Sequence, residues 1–336
     1  MLGGIEGTGQ LDQGEYEDRQ AIALLTRIDT QAATLPGYQR GRLPGFPNSQ
    51  PVPSDLARVF WQLGDVLRLK GRYKAADSAF GRAVAYAAQV VKDWPGEPAF
   101  RRSLAATRRN YGILLFEQGK RMEALEQYRQ SVDMLLELEE HFPEVPDNQD
   151  ALCDSLDPMA ELLFMQGDRR KAADLYRQII DIRERLAAQR PQDATHCGCL
   201  AWFYAAACMD PKFRNPTRAV LLAKMVLAQF PRNGYYCGLL GVAQYRNGQW
   251  SEAVASLKKA NRLRPYRYEG FLFYKAMAHW RLGEEKAARV CYDQAAEFMK
   301  ARDYPAHLMA RAHAEARELL GITERSPAKV ARALND

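Results

Sequence analysis

Long apolar runs are missing from this 336-residue sequence, and no stretch approaches the roughly 18 residues that a membrane-spanning helix needs. The first twenty residues hold glycines and acidic side chains where a secretory signal would have a basic start and an apolar stretch. We therefore expect a cytoplasmic protein without a membrane partner. The hydrophobic share of 47% and the charged share of 26% are those of an ordinary folded chain.

Cysteine residues and runs of like-charged residues are also scarce. Six cysteines are too few for a disulfide scaffold in a chain of this length, so buried thiols are expected. The formal net charge is +6, but arginine is interspersed with glutamate and aspartate and forms no basic block. This pattern favours solvated helix faces and argues against nucleic acid as a partner.

Recognisable catalytic motifs are absent from the sequence. There is no His-Arg-Asp loop and no Asp-Phe-Gly motif of a kinase. The glycine-rich residues 3–9 are followed by Gln10, where a phosphate-binding loop would carry lysine, so a flexible tail is the favoured interpretation. The sequence thus predicts a protein that is not an enzyme and needs no cofactor or metal.

One short segment leaves a catalytic alternative open. His196, Cys197 and Cys199 are residue types that bind zinc, and they lie within four positions of one another. No second ligand pair follows at a finger-like distance, so buried cysteines at the start of a helix are favoured. A metal-dependent enzyme that uses this region is the weaker hypothesis.

Self-similarity at a step of 48 residues is the strongest signal in the chain. Four landmark prolines keep this step, and each is followed nine residues later by leucine. Glycine, alanine and aromatic landmarks keep it through three units. The landmarks are Pro47, Pro95, Pro143 and Pro191; Leu56, Leu104, Leu152 and Leu200; Gly71, Gly119 and Gly167; Ala76, Ala124 and Ala172; and Phe80, Tyr128 and Tyr176.

Each unit is predicted to be two helices joined by a tight turn. Apolar residues recur at three- and four-residue spacing from Leu56 to Leu67, and a second amphipathic run begins at Tyr73. The glycine between the runs suits a helix end that needs a positive φ. The small alanine lets the paired helices approach closely, and the proline segment stops the second helix.

Shorter units follow the 48-residue ones and carry a recognisable family pattern. Leu240, Gly241, Gly248, Ala253, Leu257, Ala260 and Pro265 resemble the 34-residue tetratricopeptide repeat (TPR), and Ala276, Gly283, Ala288, Tyr292 and Ala295 repeat the pattern. The chain is similar to long-helix TPR regions of planctomycete-type bacteria, which are often found C-terminal to Ser/Thr kinase domains. The resemblance implies an all-α fold, a right-handed α-α superhelix of about six helix pairs, with an N-terminal orphan helix and a C-terminal capping helix.

The landmarks divide the chain into four predicted segments. Residues 1–53 are a glycine-rich start, a partial-repeat helix and a Pro-rich linker, and residues 54–199 are three long repeats. Residues 200–303 are three standard-length repeats, and residues 304–336 are the capping helix and a tail. The extra 14 residues of a long unit would lengthen each of its helices by about 10 Å. Because the array begins in mid-repeat, an upstream domain is one expectation.

The function that the resemblance implies is protein binding in a concave groove lined by the first helix of each pair. The partner would be a protein or peptide segment, and the protein would be a scaffold or the recognition part of a larger signalling protein. Aromatic and arginine side chains are frequent at interface hot spots. The predicted groove residues are Trp61, Arg68, Arg109, Phe116, Tyr204, Tyr235, Tyr245, Arg246, Phe273, Met277, Trp280 and Arg281.

An RNA-binding helical-repeat protein is the alternative to protein binding, because helical repeats of about 35 residues also bind RNA, one base per unit. The 48-residue units and the pattern of small residues argue against it. The oligomeric state is not specified by any feature of the sequence.

Overall fold

The computed structural model describes residues 12–13, 15–24, 26–27, 51–143, 145–263, 270–301 and 306–322. Helices make up the regular structure of these residues, and no strand occurs in them, so the expected all-α class is confirmed. None of the helices in this part of the chain is long and apolar enough to cross a membrane. The glycine-rich residues 3–9, the linker at 35–50 and the tail at 323–336 lie outside the described residues.

Fourteen α-helices are numbered here along the described residues. Helix α1 comprises the helical residues 12–13, 15–24 and 26–27. The others are α2 (Val52–Leu69), α3 (Tyr73–Asp93), α4 (Pro98–Glu117), α5 (Arg121–His141), α6 (Pro146–Met165), α7 (Arg169–Gln189), α8 (Ala194–Trp202), α9 (Pro216–Gln229), α10 (Gly234–Arg246), α11 (Trp250–Leu263), α12 (Gly270–Arg281), α13 (Glu285–Ala301) and α14 (Ala306–Leu319). Each even-numbered helix from α2 to α12 pairs with the next, which confirms the six expected pairs.

The landmark residues occupy the positions that the repeat predicts. Gly71, Gly119 and Gly248 end first helices with φ of 67°, 76° and 76°, a conformation that only glycine adopts without strain. The alanines at the start of each second helix and the aromatics four residues later are at most 2% exposed in the first three pairs. The helices of these pairs have 18 to 21 residues, against 13 and 14 for α10 and α11, as the longer repeat step requires.

The chain divides into two compact units. Unit 1 contains α1 to α7 and residues 207–213, and unit 2 contains α8 to α14. Residues 207–213 belong to unit 1 because Phe213 packs on Tyr176, with ring centroids 5.5 Å apart, and lies beneath Arg177. The repeat boundary predicted at 199/200 falls inside α8, because Asp193 caps that helix by accepting hydrogen bonds from the backbone N–H groups of Thr195 and His196.

Two prolines lie at unusual points of the repeat pattern. Helix α6 runs unbroken from Pro146 to Met165 although it contains Pro158, which would ordinarily kink a helix or restart it with Asp157 as a cap. Asp157 instead accepts a hydrogen bond from Arg183 at 2.9 Å. Pro216 is the first residue of α9, and Asn215 caps that helix. A π-helical turn, Phe203–Ala207, ends the first helix of the fourth pair and was not predicted.

Candidate functional site

The first helices of neighbouring pairs contact one another within each unit. In unit 1, α4 lies against both α2 and α6, and in unit 2, α10 lies against both α8 and α12. Each unit therefore has a face made by consecutive first helices, and this is the surface on which the sequence places the partner.

The face of unit 1 carries ion pairs between successive first helices. Arg68 of α2 donates to Glu117 of α4 at 2.8 Å and to Asp65 of its own helix at 2.7 Å. Burial alone would lower the pKa of Arg68, but Asp65 and Glu117 outweigh it and raise the pKa. Arg109 of α4 likewise donates to Asp154 of α6 at 2.9 Å. Two predicted groove residues thus hold neighbouring repeats in register.

A cleft of about 310 Å³ opens between α2 and α4 on this face. Its lining consists of Ser54, Asp55, Arg58, Trp61, Ser103, Ala106 and Thr107. The ring of Trp61 packs on the core that α2 shares with α3, while its Nε1 atom is shielded from solvent and has no hydrogen-bond acceptor among the described residues. Among the predicted residues of unit 1, Trp61 therefore combines a place at a cleft with a hydrogen-bond donor that has no acceptor in the described part of the chain. Phe116, also in unit 1, is half-buried.

Several predicted residues of unit 2 lie in the core instead of on a surface. Phe273 and Met277 are 0% exposed, and Tyr204 and Tyr245 are 5% and 7% exposed. Phe273 packs on Tyr292 and His313, and Met277 accepts a hydrogen bond from the Tyr245 hydroxyl at 3.5 Å. The groove assignment of Phe273 and Met277 has to be corrected for the structure with α14 in place, because neither side chain then has exposed surface with which to contact a partner.

Arg246 is the most highly connected of the predicted residues. Its guanidinium binds both carboxylate oxygens of Glu315 in α14, with Nη2 at 2.6 Å from Oε2, and its Nε donates to the Ala205 carbonyl at 3.1 Å. It also lies over the rings of Tyr245 and Tyr274. Burial would lower the pKa of Arg246, but Glu315 outweighs it and raises the pKa. Sequence reasoning missed Glu315, because no local motif links two residues 69 positions apart.

The remaining predicted residues keep some exposed surface. Tyr235 is half-buried beside Tyr236 and Phe271, with ring centroids 5.6 and 6.2 Å away. Trp280 is half-buried with the Arg289 guanidinium 6.0 Å from its ring centroid, and Arg281 is exposed. These three side chains are accessible from solvent, and none of them has a buried polar atom that lacks a hydrogen-bond partner.

The candidate metal region has a different local arrangement. His196 is 6% exposed, and its Nδ1 lies 3.0 Å from an Asp193 carboxylate oxygen. The Cys197 thiol donates to the Pro191 carbonyl at 3.6 Å. In the part of the chain that the structure describes, no group of three or more His, Cys, Asp and Glu side chains is placed to hold a metal ion. No observation from the structure therefore favours the metal-enzyme hypothesis.

The helix pair beside the cleft is also where a family match occurs. Residues 57–89 match the tetratricopeptide repeat. This TPR match covers most of α2 and most of α3, including Trp61. No curated protein matches the chain.

Solved structures to which this chain is similar include a TPR protein. A tetratricopeptide repeat protein from Parabacteroides merdae is 14% identical, with a TM-score of 0.40, over 84% of this chain and 98% of that one. BtubC from P. vanneervenii is 13% identical, with a TM-score of 0.40, over 87% and 91%. MamA from MSR-1 is 21% identical, with a TM-score of 0.37, over 58% and 97%.

Proposed function

We propose that this protein is an interaction scaffold that binds a peptide segment of another protein in the cleft between α2 and α4. The observation that carries the proposal is the Trp61 indole N–H, which is shielded from solvent without an acceptor among the described residues at a cleft on the first-helix face. A buried donor without a partner costs about 1–3 kcal/mol, and a ligand carbonyl that reaches the N–H group as the Trp61 ring turns towards the cleft would remove that cost.

The lining of the cleft fits an extended peptide. Trp61 and Ala106 offer apolar surface, while Ser54 and Ser103 offer hydroxyl groups. A peptide presents a backbone carbonyl at every residue, so an indole N–H can be satisfied without a particular side chain. The charged pair at the rim, Arg58 and Asp55, lies 3.1 Å apart and adds groups of both signs. We expect a partner segment of mixed polarity with one apolar side chain.

Two finer roles remain predictions from the sequence. One is that the scaffold is the recognition part of a larger signalling protein, and the other is that it acts in the cytoplasm. Both depend on the partner, which peptide selection can identify.

The test begins with peptides selected from a random library on the full chain, followed by affinities measured by fluorescence anisotropy. Trp61→Phe keeps an aromatic ring but removes the N–H group, and we expect it to weaken the selected peptides about 2- to 10-fold, the value of one hydrogen bond. Trp61→Ala also removes the apolar surface and is expected to weaken them further.

Trp280→Phe is the matched control, because it makes the same change on a first helix of unit 2. Circular dichroism shows whether each variant keeps its helices. If peptides are selected and bind the two Trp61 variants as tightly as the wild type, the cleft is not their site and the proposal fails.

A further inference from the structure

The C-terminal helix α14 lies on the first-helix face of unit 2. It packs mainly on α12, the first helix of the last pair, and less on its partner α13. Its polar groups reach further along the same face. Glu315 binds Arg246 of α10, and the Arg311 guanidinium donates to the Ala206 carbonyl at 2.9 Å. Helix α14 therefore covers the surface where the sequence predicts partner binding in this unit.

The contact between α14 and this face combines polar groups with a small apolar patch. Among the described side chains, the buried apolar ones are Ala312 and Ala316 in α14 and Leu320 directly after it. His313 and the Tyr292 hydroxyl share a hydrogen bond of 2.8 Å beside them. Alanine buries little area, so the hydrophobic stabilisation from Ala312 and Ala316 is small. The four-residue spacing of the two alanines puts them on one side of the helix, which lets its backbone approach closely.

The face beneath α14 offers partners for one carboxylate and one guanidinium group of a helix. Residues 203–207 end the first helix of the fourth pair, and the last carbonyls of a helix have no partner within it. The carbonyls of Ala205 and Ala206 accept from Arg246 and Arg311, one from the face and one from α14. Arg214 adds a further cation, and its pKa is lowered by burial and by the nearby Arg246 and Arg311, with Glu315 acting in the opposite sense.

We propose that the face formed by α10, α12 and residues 203–206 is a helix-binding site, which α14 occupies in this structure and a partner protein takes over by presenting a helix with a carboxylate at the position of Glu315. The partner helix would carry small residues at the positions of Ala312 and Ala316 and a basic residue at that of Arg311. This site uses different residues from the α2–α4 cleft, and its test is independent of that cleft.

The first measurement is hydrogen exchange on the full wild-type chain. We expect the α14 amides to exchange through local opening, faster than those of α12, because a segment held by few apolar contacts opens at a lower free energy. Glu315→Lys should speed α14 exchange at least about 10-fold, because it sets a cation against Arg246, and should leave α12 unchanged. Glu318→Lys is the matched control, since Glu318 is exposed on the same helix.

The second measurement uses a fluorescent peptide with the sequence of residues 306–322. We expect it to bind the Glu315→Lys chain about 10-fold or more tightly than the wild type, whose site is occupied by its own helix. A second peptide that carries Glu315→Gln should bind the Glu315→Lys chain about 10-fold more weakly than the unchanged peptide does, because it lacks the charge that pairs with Arg246.

Three results would overturn the proposal. The first is α14 exchange at the rate of α12 in the wild type and in both lysine variants. The second is peptide binding of equal strength to the wild type and the Glu315→Lys chain. The third is a Glu315→Lys dimer with a protected α14, because the site would then exchange helices between two copies of this chain instead of binding a partner.

Discussion

Glycines inside first helices set the distance between the helices of a pair. A Cβ atom built on Gly112 would lie 2.5 Å from the Tyr128 ring, and one built on Gly64 would lie 2.9 Å from the Phe80 ring. Both rings are at most 2% exposed, so they have no free space into which to move. The aromatic landmark of the repeat therefore requires a small residue opposite it, on the partner helix.

Gly112→Ala tests this close approach. Alanine favours a helix over glycine by about 1 kcal/mol, but the contact with Tyr128 should outweigh that gain and lower the free energy of unfolding by about 1–3 kcal/mol. Gly81→Ala is the control, because Gly81 lies in α3 with nothing within 4 Å of its added Cβ. We expect the control to raise the free energy of unfolding by about 0.5–1 kcal/mol. If urea denaturation gives Gly112→Ala a higher free energy of unfolding than the wild type, the Tyr128 ring has moved to make room for the added methyl group, and the close approach is not required.

At the residue scale, the sequence predicts a position correctly where a single physical requirement limits that position to one residue type. The turn glycines and the buried alanines were predicted because a positive φ and a close helix contact each limit the choice. The Trp61 N–H group, which has no acceptor within the described part of the chain, could not be predicted, since the burial of one atom depends on how the helices pack. Gly64, Gly112 and Ala160 keep the same 48-residue step, so the sequence does contain the signal for this close approach.

At the scale of elements, α10 and α12 explain why several of the predicted groove residues are buried. Every residue from Cys237 to Tyr245 in α10 is buried, as are eight of the twelve residues of α12. A helix that is apolar all round is buried on every side. Its aromatic side chains then pack in the core and do not indicate a binding surface. The covering element, α14, is not adjacent in sequence to α10, so the pattern of either helix alone could not reveal the contact.

Helix α1 is attached to unit 1 by Ile22, which packs on the core of α2 and α3, and by a cluster of ion pairs around one buried carboxylate. Glu15 is 8% exposed and lies 2.5 Å from the Lys70 ammonium, 2.7 Å from the Arg72 guanidinium and 3.0 Å from that of Arg19. Burial would raise the pKa of Glu15, but these three cations outweigh it and lower the pKa to about 2. The N-terminal helix predicted from the sequence therefore has a specific docking point at the turn between α2 and α3.

Glu15→Gln is expected to loosen α1 at neutral pH. The depressed pKa means that Glu15 stabilises docking above its ordinary value of 4.5, and that this contribution, about 1 kcal/mol, is lost as the pH falls towards 2. Hydrogen exchange of residues 15–24 should therefore be faster in the variant at pH 7, with the difference vanishing near pH 2. Glu17→Gln removes an exposed carboxylate from the same helix and should have no such effect. A difference that persists unchanged at pH 2 would contradict the assignment.

At the scale of the whole molecule, the chain divides into two compact units, whereas the repeat pattern by itself predicts one continuous array. A solenoid is stabilised by contacts between neighbouring repeats, so its cooperativity can break where the pattern changes. The boundary between the units follows α7, close to the point where the 48-residue step gives way to shorter repeats. The π-helical turn and the loop at 207–213 mark the same stretch of chain.

Two glycine variants can test whether each unit unfolds as its own cooperative block. Gly241→Ala is the unit 2 counterpart of Gly112→Ala, because its added Cβ would lie 2.5 Å from the Leu257 side chain and 3.2 Å from the Ala253 carbonyl. We expect pulse-labelled hydrogen exchange in increasing urea to resolve two transitions. Gly112→Ala should shift only that of α2 to α7, and Gly241→Ala only that of α8 to α13, each by about 1–3 kcal/mol. If either variant shifts both sets of helices equally, the array unfolds as one block, and the compact units have no separate stability.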